Sequence, residues 1–142
     1  MMSAPHILVI PCSGIGKVLG SVSREAALQV VEDLRPEDAE TLCLARLTLG
    51  DPQAQEAVRT HPVITVDGCL KGCARVNVEQ AGGKPAATLR AADTFRRHRD
   101  LKPAGVIDLG EGGRKLAQHL AEEIAVCVDR IRQGNGEEEG DA

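Results

Sequence analysis

"VITVDGCLKGCARVNVEQAGG", running from Val63 to Gly83, decides how the rest of the chain is read. Its first five residues read as a buried strand that runs straight into two thiols, Cys69 and Cys73, four positions apart. "CARVNVEQAGG" then reads as a short helix closed by Gly82 and Gly83. A strand that passes through a glycine turn into a helix is the building unit of a parallel sheet.

The same unit recurs upstream. "HILVIP" (residues 6–11) is a short continuous apolar run ending at the turn "CSGIGK", as expected of a central parallel strand. "KVLGSVSREAALQVVEDL" follows and places Leu19, Val22, Ala26, Val30 and Leu34 on one helical stripe, which "RPED" stops. "AETLCLA" reads as a second strand with Cys43 near its end. In "GDPQAQEAVRT" a short helix is expected, with Asp51 as N-cap and Pro52 at its first position. "PAATLRAA" and "GVIDLG" are weaker strand candidates, and "GRKLAQHLAEEIAVCVDRIRQG" is the clearest helix, with Leu116, Leu120, Ile124, Cys127 or Val128, and Ile131 on its buried stripe. The expectation is a single α/β domain over residues 1–133: three layers, Rossmann-like or flavodoxin-like, around a mostly parallel sheet of about four strands.

Charge and composition exclude several functions. Of 21 acids, four lie in "GNGEEEGDA" (residues 134–142), which reads as a disordered acidic tail; the remaining 17 balance the 17 lysines and arginines. A neutral body with one aromatic residue, Phe95, lacks both the electrostatic surface and the stacking platforms of a nucleic-acid binder. "FRRHRDLK" is the one basic cluster and reads as a solvated face. No stretch has the length of a membrane span or the layout of a signal peptide, so a cytoplasmic setting is expected, with the five cysteines as thiols, metal ligands or redox groups.

Ligand groups of an open parallel sheet gather beyond the carboxyl ends of its strands. Cys12, Cys43 and Cys69 each fall there, and Cys73 follows Cys69 by one helical turn. Neighbouring strands lie about 4.8 Å apart, and a tetrahedral zinc with bonds of about 2.3 Å holds its sulfurs roughly 3.8 Å from one another, so four thiolates can converge on one ion. Gly14, Gly16, Gly68 and Gly72 let backbone come close to the sulfurs. Helix starts after Cys12 and Cys73 favour thiolate, and Lys17, Arg46, Lys71 and Arg75 are the candidates to offset its charge. Asp67 is expected to accept backbone N–H groups of the turn rather than to ligate. Cys127, on the apolar stripe of the last helix, reads as a small core residue.

"CSG" before a glycine turn, then "TLCLA", then "DGCLKGCAR" resembles the DGC-domain family, described as candidate zinc-binding proteins and named for the Asp-Gly-Cys motif. The resemblance runs from Cys12 to about Gly82. It implies a metal site at Cys12, Cys43, Cys69 and Cys73, and no assigned reaction.

Other chemistries compete with zinc. A Walker A loop needs Gly six residues before its Lys and Ser or Thr after it, where this chain has Pro11 and Val18; a cysteine phosphatase loop needs Arg at that same position 18. Metal-free thiol exchange through Cys69, Cys73 and Cys12 is one alternative, and an iron–sulfur cluster on the four thiolates is another. His6, His61, His98 and His119 fall at wrong ends or on polar faces and read as solvated or capping residues, and no catalytic base stands out. The function expected is metal binding, in an accessory or metal-delivery role, with a protein partner of unspecified kind.

Overall fold

The computed structural model of the chain describes residues 6–12, 17–68 and 71–134. Gly14, Gly16, Cys69 and the tail from residue 135 lie outside the described residues. Strand β1 (Ile7–Pro11) leads to helix α1 (Val18–Gln29), which continues as a π-helical segment over Val30–Leu34. β2 (Ala39–Thr41), α2 (Leu44–Thr48), α3 (Pro52–Thr60), β3 (Val63–Asp67), α4 (Cys73–Gln80), β4 (Pro85–Arg90), α5 (Ala91–Arg97) and α6 (Gly110–Gln133) follow. The four strands form one parallel sheet in the order β2-β1-β3-β4. This is the doubly wound order of flavodoxin-like sheets, whose switch point falls between β1 and β3.

Alternation along the strands builds two cores. Ile7 and Val9 of β1 join Ile64 and Val66 of β3 under α1 and α6, where Val22, Ala26, Leu116, Leu120 and Ile124 are fully buried. Leu8, Ile10 and Cys12 point the other way, with Val63, onto α2, α3 and α4 through Leu44, Leu47, Val58 and Val78. Because side chains alternate with period two, the parity of β1 delivers the Cys12 sulfur to the α4 side. Three layers result, as expected.

Several elements differ from expectation in detail. Cys43 is not in a strand: β2 leaves its ladder with β1 at Thr41, and Cys43 is the N-cap of α2, because Leu44 and Leu47 turn inward at helical spacing. "GVIDLG" forms no strand: Ile107 is 99% exposed, the Val106 carbonyl accepts Ser21 Oγ–H at 2.8 Å, and the Ala104 N–H donates to the Leu109 carbonyl, closing the segment on itself. "PAATLRAA" stops being strand at Arg90, and α5 begins there with Ala91 and Thr94 buried. At α3 the expectation holds to the residue: Asp51 Oδ1 accepts the Gln53 N–H at 3.0 Å, with Pro52 in the first turn.

Candidate metal centre

At the carboxyl edge, the β1 and β3 ends are joined twice. The Cys12 N–H donates to the Val66 carbonyl at 2.9 Å, and the Gly68 N–H donates to Cys12 Sγ at 3.2 Å. An N–H aimed at sulfur favours the thiolate. Glycine is required at position 68, because a Cβ there would stand 2.7 Å from the Gly20 nitrogen and 2.8 Å from the Leu19 carbonyl carbon. The first turn of α1 therefore lies directly on the strand end that precedes Cys69.

Asp67 is 1% exposed and turns inward. Helix α4 begins at Cys73 after Gly72, whose φ of +69° suits glycine and which has no side chain to cap the helix. The Asp67 carboxylate takes over that work from the strand, accepting the Ala74 N–H at 2.7 Å and the Arg75 N–H at 3.2 Å. As expected, this acid accepts backbone N–H groups.

Cys43 is exposed and Cys12 is buried, and both line one open cleft of about 590 Å³ with Pro11, Arg24, Leu28 and Leu44. Cys73 is exposed at the start of α4. Among the described residues no group of three or more His, Cys, Asp or Glu side chains is gathered to hold an ion, so Cys12, Cys43 and Cys73 do not form such a group by themselves. Cys69, two residues beyond Asp67, lies outside the described residues. The donor set suits a soft divalent ion in kind: thiols on three segments of one sheet edge, no histidine among them, and the nearest acid committed to backbone.

Two of the cations expected to offset thiolate charge are engaged elsewhere, Arg46 with Asp51 at 2.7 Å and Arg75 with Glu79 at 3.1 Å. Arg24, which the sequence reading passed over, lines the cleft and donates to Ser21 Oγ at 3.3 Å. Its signal was available: Ser21, Arg24 and Leu28 repeat at helical spacing beside the core stripe, and Leu28 is an apolar residue left outside that stripe. Cys127 is half-buried against the α1–α6 core, and burial pushes its thiol pKa up. His6 pairs with Glu40 at 3.5 Å, near the amino ends of the strands. His98 and His119, both half-buried, stack with ring centroids 4.1 Å apart.

A parallel doubly wound domain with cysteines at the carboxyl edge of its switch point is the class that fold and site define. The chain belongs to the DGC domain family, whose model matches residues 8–106, from β1 through the loop that leads to α6. No curated protein and no solved structure matches the chain significantly.

Proposed function

We propose that the chain binds a divalent metal ion, zinc by preference, through the thiolates of Cys12, Cys43, Cys69 and Cys73, and acts as a metal-binding or metal-delivery accessory protein. The observation that supports this reading is the placement of Cys12, Cys43 and Cys73 just beyond β1, just beyond β2 and at the start of α4, with the Gly68 N–H on the Cys12 sulfur. Closure on an ion draws the exposed Cys43 and Cys73 thiols toward Cys12, with Cys69 as the fourth donor. Four thiolates leave no open coordination position, which suits holding and handing over an ion better than hydrolysis at the metal.

Metal analysis of protein purified without oxygen, with thiol counts under denaturing conditions, tests the reading. About one zinc per chain is expected. Cys12→Ser, Cys43→Ser, Cys69→Ser and Cys73→Ser should each lower occupancy, and Cys127→Ala should leave it intact. Iron with visible charge-transfer absorption would replace zinc by a cluster. Metal-free protein with a Cys69–Cys73 disulfide would replace metal binding by thiol exchange.

A further inference from the structure

Most arginines of this chain are neutralised where they stand. Among the described residues Arg35, Arg46, Arg59, Arg75, Arg90, Arg96, Arg97, Arg114 and Arg132 each have an acidic partner. Among the described residues Arg99 and Lys102 have none, as is also true of Lys17, Lys71, Lys84 and Arg130, but Arg99 and Lys102 face the same groove, of about 470 Å³, whose other walls are Ala92, Phe95 and Arg96. Arg96 reaches only 3.6 Å from Asp93, whose carboxylate already accepts Arg90 Nε–H at 3.1 Å. The neighbouring Glu123 is taken by Arg97 at 2.6 Å and Thr94 at 3.0 Å. Three cations thus line one concavity whose lining contains no acid, with Asp100 beside Arg99 in the chain but outside that lining.

A solvated basic face needs neither a groove nor an apolar floor. Here Phe95, the only aromatic residue of the chain, and Ala92 supply that floor, and the volume falls in the range of small-ligand sites. Guanidinium forks bind phosphate or carboxylate with two parallel hydrogen bonds, and a lysine adds a point charge. We propose that this groove binds a small polyanionic ligand, a phosphate ester or a polycarboxylate. Arg96, Arg99 and Lys102 hold its anionic groups, and Ala92 and Phe95 form the floor beneath them. The groove is also tied to the metal edge, since the Ala92 N–H donates to the Gly68 carbonyl at 3.1 Å. The inference does not depend on the metal reading.

Calorimetric titration of the full chain with ADP, citrate, pyrophosphate and adenosine tests it. ADP or citrate should bind with Kd below about 1 mM, and adenosine should not; which of the two binds tells phosphate from carboxylate. Arg99→Gln and Lys102→Gln should each weaken that binding about tenfold. They should leave thermal stability and metal content unchanged. Failure of ADP, citrate and pyrophosphate alike to bind overturns the proposal, as does binding that both variants leave intact. Binding of single-stranded oligonucleotides that tightens with length, in preference to ADP, would overturn it in favour of a nucleic-acid face.

Discussion

Replacing Asp67 by alanine should destabilise the protein without touching the proposed metal donors. Among the described residues the carboxylate is the only side chain capping α4, it is buried, and the Ala74 N–H it accepts at 2.7 Å is buried with it. Loss of an ordinary N-cap costs roughly 0.5–2 kcal/mol, because water replaces the lost acceptor. Here water reaches the freed Ala74 N–H poorly, which adds about 1–3 kcal/mol for an unsatisfied buried donor. Relief from keeping a carboxylate buried returns part of this, so about 2–4 kcal/mol is expected. With a urea slope of about 1.5 kcal/mol/M, the unfolding midpoint falls by about 1.3–2.7 M at unchanged slope. Asp67→Asn keeps one acceptor oxygen and should fall between the two proteins. A midpoint shift corresponding to less than about 0.5 kcal/mol would refute the capping role. Loss of bound metal at full stability would make Asp67 a ligand after all.

Gly68→Ala forces a methyl group against the α1 backbone at Gly20, where no side chain can swing aside, and should cost about 1–3 kcal/mol by thermal unfolding. Asp129, bound by Arg35 through two bonds of 2.7 Å, has its carboxyl held below the ordinary carboxylate range by that hydrogen bonding. Its contribution is complete above the unfolded carboxylate pKa of about 4 and is lost as pH falls through the lower folded value. The pair is partly exposed, so Asp129→Asn should cost at most about 1 kcal/mol at neutral pH, with the deficit vanishing in strong acid in urea titrations. In metal-free native protein, alkylation followed by peptide mapping should label Cys43 and Cys73 quickly and Cys127 slowly, since burial both shields that thiol and raises its pKa.

The parts of the fold that were legible in the sequence are those set by neighbours in the chain. The β-branched run at Val63–Val66, the Asp51–Pro52 helix start and the long stripe of α6 each carry their own signal. Asp67 could be read as a backbone acceptor because a turn with glycines on both sides needs one. Helix α5 was hidden because it buries only Ala91 and Thr94 fully, its first residues continue an apolar strand-like run, and its arginines belong to a run that reads as a solvated face. Cys43 was placed on a strand because the run around it is apolar, yet pairing with β1 ends after three residues. The approach of α1 to Gly68 depends on a contact 48 positions apart in sequence, which no local pattern encodes. At the site, proximity to the sheet edge was readable, and the cleft that Arg24 and Leu28 share with Cys12 and Cys43 was not.

The odd and even positions of β1 have separate duties, with Ile7 and Val9 serving one core and Leu8, Ile10 and Cys12 the other. Inserting one residue between Val9 and Ile10 would therefore do more than lengthen a strand. It would rotate the sulfur to the opposite side of the sheet, where Val22 and Ala26 already fill the space, and take it out of reach of the amide at Gly68. Such an insertion mutant disconnects the thiol while keeping every side chain that the domain possesses.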